Sequence, residues 1–370
     1  MNEKPSFWKV RPDEIADIVG RAQRGRTEEI ARSPGGHPVY AVAYGEPIPD
    51  ERTTNLSGAM GAGAPEPYKP EPAARPTVVL VGGCHGAEME ATAGLLNLIQ
   101  VLETGRDFAG RERGELADLA AHYRFVLIPC LNPDGRARSP DSMIGLEART
   151  ALEFNQGVWK DGTPIGYPAC KRYQPLPKDR VSHLGGYPNE DGYNLMHDAT
   201  PGAIATAEVR GLLNLVDRER ADLVLHLHSH GTAPAILPPN HGMFDVQRRR
   251  ILRYRRRLEA WFTARGLDVV RVPDPDPAAT WLCPFNLASL TALTSGALSP
   301  VFEQPAGTGG YEITPEIQME MTFQVIQLFL HWGLREPFSP RHAMFYSMFD
   351  ATQPLATYHR DRWKVPGEDA

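Results

Sequence analysis

Residues 77–88 read TVVLVGGCHGAE, and this stretch decides the fold. The apolar run Thr77 to Gly83 is typical of a strand that is buried on both faces. His85 and Glu88 follow it, so an imidazole and a carboxylate lie three residues apart where the strand ends. Because ligands in open α/β sheets gather at the carboxyl ends of strands, we predict that this turn contributes to a metal site.

A second cluster of imidazoles follows another apolar run, Ala221 to Leu225. Residues 226–230 read HLHSH. Alternate side chains of a strand point to the same face, so the pattern alone leaves His226, His228 and His230 as candidate ligands. One of them would complete a set of three protein ligands and leave a coordination position open for water. Since that is the ligand count of a catalytic zinc site, we expect one Zn²⁺ ion.

Strand and helix patterns alternate along most of the chain, which predicts a layered α/β domain. An early hairpin signal at residues 34–36 favours a mixed central β-sheet, flanked by helices. Predicted strands cover residues 28–33, 38–44, 77–83, 123–130, 222–228, 267–272 and 298–303. Predicted helices cover residues 12–24, 88–102, 203–219, 244–266, 285–294 and 316–334.

The predicted organisation is a single α/β domain with short additions at each end. An N-terminal helical segment covers residues 1–27, the domain covers 28–334, and a C-terminal tail covers 335–370. Residues 45–76 are rich in Gly, Pro and Ala and are predicted to form a long loop. Residues 136–193 are polar and weakly periodic, and we predict that they form a large insertion over one face.

The bulk composition narrows the class of protein. The chain has 370 residues, 42% hydrophobic and 23% charged, as in globular proteins. A net charge of -6 argues against a nucleic-acid partner, and no apolar run reaches the length of a membrane span. The four cysteines form no CxxC pair, and the first residues lack a signal peptide's apolar core. We therefore expect free thiols in a cytoplasmic protein without membrane partners.

Four motifs, in this order, resemble the zinc carboxypeptidases, the M14 metallopeptidases. HGAE at residues 85–88 is similar to the family's HxxE ligand pair, and NPDG at 132–135 to its NPDG loop. His228-Ser229 is similar to its third-ligand motif, and Phe302-Glu303 to the motif of its catalytic glutamate. The resemblance runs from about residue 28 to residue 334. It implies a single-domain zinc-carboxypeptidase-like fold, with His228 rather than its two neighbours as the third ligand.

The resemblance also implies roles for a glutamate and an arginine. Glu303 would take a proton from the attacking water and later deliver it to the leaving amine. An arginine that follows the NPDG loop would stabilise the anionic intermediate. We assign this role to Arg180, which precedes Asn194 most closely among the available arginines, Arg136, Arg138, Arg149, Arg172 and Arg180.

The chain departs from the family where a substrate's terminal carboxylate should bind. The family carries an Asn-Arg pair there, and this chain carries Met196 and His197. Methionine donates no hydrogen bond, and histidine is only partly charged at pH 7. Asn194 stands where the family has an aspartate that orients the first histidine ligand. An amide oxygen can accept the same hydrogen bond with less electrostatic support.

Three functions remain open at this point. The first is a zinc-dependent metallocarboxypeptidase-like hydrolase that cleaves a peptide or peptide-like amide. The second is a deacylase of N-acyl amino acids, similar to aspartoacylase and succinylglutamate desuccinylase. The third is a non-catalytic binding protein on the same fold, which the presence of Glu303 disfavours. The expected partner is a small peptide or acyl-amino-acid substrate, and the sequence gives no oligomeric state.

Overall fold

The structure, a computed structural model, describes residues 4–49, 51–64, 66–69, 75–237, 243–270 and 285–338. Its centre is a seven-stranded sheet of order β1-β2-β4-β3-β7-β9-β8, and β5 and β6 form a separate small sheet. The strands are β1 (Arg26–Arg32), β2 (Pro38–Tyr44), β3 (Thr77–Val81), β4 (Arg124–Ile128), β5 (Val158–Trp159), β6 (Val181–His183), β7 (Leu223–His230), β8 (Ala235–Ile236) and β9 (Val301–Pro305).

The central sheet is mixed, as the sequence predicts. Strands β4, β3, β7 and β9 run parallel to one another. The hairpin β1-β2 and the short β8 pair antiparallel at the two sides. The carboxyl ends of β3, β7 and β9 therefore lie at one edge of the sheet, which is where ligands collect in folds of this kind.

Helices cover the sheet and complete the α/β fold. They are α1 (Pro12–Gly20), α2 (Leu56–Ala62), α3 (Met89–Thr104), α4 (Gly114–Ala120), α5 (Pro133–Arg138), α6 (Ala148–Gln156), α7 (Ala207–Glu219), α8 (Asp245–Thr263), α9 (Leu287–Ser295) and α10 (Pro315–Arg335). Two short 3₁₀ helices, Ala169–Lys171 and Lys178–Arg180, interrupt the insertion. Strands β3 and β4 are buried along their whole length, as a sheet covered on both faces requires.

Helix α3, which starts at the predicted metal site, is held in place by close packing against α10. A Cβ atom on Gly94 of α3 would lie 2.5 Å from the Thr322 side chain of α10. Only a residue without a side chain lets the two helices approach this closely. Helix α1 also packs against α3, and its Ile15 and Val19 join the same buried cluster as the sheet.

Three details differ from the sequence-based expectations. The loop 45–76 contains α2, whose first turn is capped by the Asn55 side chain accepting from Gly58 N at 2.8 Å. The insertion 136–193 contains α6 and the β5-β6 pair rather than irregular chain alone. Residues 267–270 form no strand. The rest of that predicted strand, residues 271–272, lies outside the described residues, as do Cys283 and the tail beyond residue 338.

Two other expectations concern the thiols and membranes. Cys84, Cys130 and Cys170 are buried free thiols. Within the ranges that the structure describes, no helix combines the length and the apolar character needed to cross a bilayer.

Candidate metal centre

Three side chains converge at the edge of the sheet where β3 and β7 end. His85 lies in the turn after β3, Glu88 is the N-cap residue of α3, and His228 lies near the end of β7. One donor atom from each lies within 4.8 Å of the others, and all three residues are buried. The structure thus brings together the three metal ligands that the sequence predicts.

The Glu88 carboxylate lies between the two imidazoles. Its Oε1 is 2.7 Å from His85 Nδ1, and its Oε2 is 2.8 Å from His228 Nδ1. Burial alone would raise the pKa of Glu88, but the two imidazoles outweigh burial and hold that pKa well below its usual range. Burial opposes a charge on His228, and the facing carboxylate outweighs it and raises the pKa of His228.

This donor set fits a zinc ion. Two imidazole nitrogens and a carboxylate oxygen are ligands that zinc prefers, at about 2.0–2.2 Å. Tetrahedral donors at that bond length are about 3.3 Å apart, so the donor atoms of the His85–Glu88 and His228–Glu88 pairs need to separate by only about half an ångström. Both histidines present Nδ1 to the centre, which leaves each Nε2 free to make an orienting contact of the kind common around zinc.

Asn194 and Tyr187 fix the orientation of the His85 ring. Asn194 Oδ1 is 3.2 Å from His85 Nε2, and Asn194 Nδ2 donates to Cys170 O at 2.8 Å. The Tyr187 ring stacks on the imidazole with centroids 3.8 Å apart and planes 10° apart. Asn194 therefore takes the orienting position that the resemblance implied for it, and the insertion adds an aromatic contact.

Direct backbone contacts explain the glycines of the two loop motifs. Gly86 N donates to Gly186 O at 2.7 Å. A Cβ atom on Gly86 would lie 2.0 Å from Arg136 N, and one on Gly135 would lie 2.2 Å from Gly186 O. The HGAE turn, the NPDG turn and the insertion therefore pack backbone against backbone, and side chains at these glycines would separate them.

The three histidines of β7 lie in different surroundings. His226 lies deeper in the fold, with Nε2 at 3.3 Å from Thr291 Oγ1 and 3.2 Å from Ser299 Oγ. Burial lowers the pKa of His226 to about 3, so it is a neutral core residue. His230 Nδ1 accepts from Thr232 N at 3.2 Å. Among the three, His228 is the one that faces Glu88.

Glu303 lies on β9 directly beside His228. The two residues are Cα partners in the parallel pairing of β7 and β9, so their side chains leave the same face of the sheet. Burial raises the pKa of Glu303 to about 7, and the His228 imidazole opposes this rise. Among the described residues, none donates a hydrogen bond to its carboxylate, which leaves both oxygens available to a water or a substrate.

The arginines that follow the NPDG loop lie in different surroundings. Arg180 is exposed at the end of a 3₁₀ helix, and its carbonyl oxygen accepts from Lys160 N. Arg136 is buried, and its guanidinium donates to the carbonyl oxygens of Gly86, Ser139 and Pro140. Arg136 is thereby engaged in holding the turn between His85 and Glu88.

The residues in place of the family's Asn-Arg pair carry no charge at neutral pH. Met196 is buried. Burial lowers the pKa of His197 to about 4, and the charges of His85 and Lys171 act in the same direction. Sequence reasoning missed Lys171, because the search for a cation was limited to arginines. Lys171 lies in the segment before Asn194, where the arginine was sought, and this position was the sequence signal that pointed to it.

Comparisons with known proteins agree with this geometry. A model of the zinc carboxypeptidase family matches residues 20–253. Among curated proteins, none matches the sequence. Similar solved structures include a metallo-carboxypeptidase from Burkholderia cenocepacia, with a TM-score of 0.51 and 16% identity over 87% of this chain and 68% of that one. A metallo-carboxypeptidase from Pseudomonas aeruginosa, in complex with (2-guanidinoethylmercapto)succinic acid, gives 0.52 and 16% over the same shares.

A eukaryotic structure shares the fold as well. Carboxypeptidase A from Helicoverpa armigera has a TM-score of 0.50 and 14% identity, over 95% of this chain and 78% of its own. The fold and the His-Glu-His cluster define a metallopeptidase-type hydrolase. The chain belongs to the zinc carboxypeptidase family.

Proposed function

We propose that this protein is a zinc-dependent metallocarboxypeptidase-like hydrolase that cleaves a peptide or peptide-like amide bond. The observation that carries the proposal is the pairing of β7 with β9. Glu303 is the Cα partner of His228 in that pairing, and His228 belongs to the cluster of three candidate metal ligands. A half-buried carboxylate that accepts no hydrogen bond from the described residues, next to the proposed metal centre, is suited to proton transfer.

The residues divide the chemistry among them. His85, Glu88 and His228 would hold the zinc ion, which supplies a Lewis acid that polarises a carbonyl and lowers the pKa of a water to about 7. Glu303 accepts a proton from the attacking water and returns it to the nitrogen of the leaving amine. Asn194 and Tyr187 keep the His85 ring aimed at the centre. Arg136 keeps the turn between His85 and Glu88 closed.

The substitution Glu303→Gln tests the proposed proton transfer. Glutamine has the same shape but is a far weaker base, so kcat should fall about 10²- to 10⁴-fold while zinc binding stays unchanged. Glu312→Gln is the matched control, because Glu312 is an exposed glutamate in the loop that follows β9. A Glu303→Gln protein with wild-type turnover would exclude Glu303 as the base.

A substrate panel separates the remaining hydrolase functions. Peptides with free and with amidated carboxyl ends, together with N-acyl amino acids, are incubated with the zinc-loaded protein. Hydrolysis of the peptides supports a peptidase. Hydrolysis of N-acyl amino acids alone would replace this proposal with the deacylase, since both reactions use the same metal and the same base.

A further inference from the structure

The insertion carries a lysine, Lys171, in a segment that is hydrogen-bonded to the residue that orients His85. We propose that Lys171 binds a free carboxylate of the substrate and so replaces the charge that the family places on its Asn-Arg pair. This inference rests on the proposed function, and it assigns to Lys171 the choice of substrate.

Lys171 is tied to the metal centre by a short chain of contacts. It ends the 3₁₀ helix Ala169–Lys171, and the preceding residue, Cys170, accepts a hydrogen bond from Asn194 Nδ2 at 2.8 Å. The same amide places its Oδ1 3.2 Å from His85 Nε2. The Asn194 side chain therefore connects the peptide bond before Lys171 to His85, a candidate metal ligand. The position of Lys171 is thereby coupled to the metal centre.

The Lys171 ammonium has no carboxylate partner within the described part of the chain. Its Nζ lies 4.8 Å from the centroid of the Tyr167 ring, and the residue is exposed. An aromatic face directs an ammonium by cation–π attraction without neutralising it. Two arginines of the insertion pair with carboxylates instead, Arg138 with Glu190 and Arg149 with Glu153. The Lys171 ammonium is thus available to an anionic ligand.

The charge of Lys171 acts on the residues that surround the reaction centre. Burial is the largest influence on Glu303 and raises its pKa, and Lys171 opposes that rise together with His228. Burial is also the largest influence on His197, and Lys171 adds to the lowering of its pKa. The Lys171 ammonium is therefore close enough to influence the pKa values of Glu303 and His197. His197 itself stays neutral and does not supply the charge that recognition of an anion needs.

A carboxylate is the anion that this arrangement fits. A lysine is a compact point charge with three donors, which suits a single carboxylate oxygen better than a bidentate pairing. Both expected substrate classes, a small peptide and an acyl amino acid, carry a free carboxylate. Hydrogen bonds between charged groups are stronger than those between neutral groups. Loss of the Lys171 ammonium should therefore weaken binding of a free carboxylate by about tenfold or more.

The binding test compares Lys171→Met and Lys171→Arg with the zinc-loaded wild type. The probes are succinic acid and its monoamide, and calorimetry gives their affinities. We expect the wild type to prefer the diacid by about tenfold or more, Lys171→Met to lose that preference, and Lys171→Arg to retain most of it. Lys160→Met is the matched control, because Lys160 is an exposed lysine of the same insertion. An unchanged preference in Lys171→Met would overturn the proposal.

Kinetics separate substrate binding from stabilisation of the transition state. For Lys171→Met, KM should rise for substrates with a free carboxyl end and stay unchanged for their amidated forms. An equal loss of kcat on both forms would contradict the proposal, because it would place the charge at the reacting carbonyl. If the wild type hydrolyses neither form yet prefers the diacid through Lys171, the proposed function fails and the carboxylate site stands.

Discussion

Replacement of Gly86 by alanine tests how tightly the metal turn is built. The new Cβ atom would lie 2.0 Å from Arg136 N and 2.2 Å from the carbonyl carbon of Gly135. Ordinary contacts are about 3.5–4 Å, so the turn must move by more than about 1 Å. That shift breaks the hydrogen bond from Gly86 N to Gly186 O, 2.7 Å long. It also breaks the one from Arg136 Nη1 to Gly86 O, 2.8 Å long.

The size of the effect follows from these losses. Overpacking of a close contact costs about 1–3 kcal/mol, and two hydrogen bonds, one of them charged, add about 2 kcal/mol. The free energy of unfolding of Gly86→Ala should therefore fall by about 3–5 kcal/mol, which lowers Tm by about 4–6 °C in a chain of this size. Because His85 moves with the turn, zinc affinity should also fall at least about tenfold.

The assay is thermal unfolding of the metal-free protein, followed by zinc titration against a competing chelator. Gly20→Ala is the control, since its Cβ would meet no atom within 4 Å and alanine favours the helix that Gly20 ends. Its stability should stay within about 1 kcal/mol of the wild type. The reasoning is refuted if Gly86→Ala melts with the wild type and binds zinc equally well.

Two further substitutions probe the orientation of His85 and a buried ion cluster. Asn194→Ala removes the amide that faces His85 Nε2, and its zinc affinity should fall about 10- to 100-fold; an unchanged affinity would show that the amide does not orient the ring. Burial opposes ionisation of the Asp107 carboxyl, but hydrogen bonds from Arg111 and Arg113 outweigh burial and lower the pKa of Asp107. Its stabilisation is therefore present above the unfolded pKa near 3.8 and lost as pH falls below that value. In urea unfolding between pH 7 and 3, Asp107→Asn should lose less stability than the wild type, and parallel pH profiles would contradict this.

The sheet and two of its site positions follow from local sequence. Buried strands of five residues, such as β3 and β4, appear as apolar runs, because both faces of a central parallel strand are covered. The ends of such runs fix where a ligand residue can lie. His85 and the histidine cluster of β7 could therefore be located from the runs that precede them, before any tertiary contact was known, whereas Glu303 was assigned from the family resemblance.

The choice among the β7 histidines needed more than local sequence. Alternation puts His226, His228 and His230 on one face, and spacing does not say how far along the strand the partner lies. The position of Glu88 at the start of α3 decides it, since only His228 lies level with that carboxylate. The family resemblance supplied the same choice from the motif.

The insertion could not be predicted in the same way. Its backbone is fixed by contacts with distant residues, such as Gly186 O with Gly86 N, which leave no periodic pattern in the sequence. The role of Lys171 depends on how Asn194 ties that segment to His85. A basic residue in an aperiodic segment is typical of any surface, so the connection between its peptide and the metal centre became visible only in the folded chain.

Zinc titration of the metal-free protein by calorimetry tests the central claim most directly. We expect one zinc ion per chain, bound through His85, Glu88 and His228, with a higher Tm in the presence of zinc. His85→Ala and His228→Ala should each abolish stoichiometric binding, while His226→Gln should keep it. A wild-type protein that binds no zinc, or a His228→Ala protein that binds it as well as the wild type, would contradict the account.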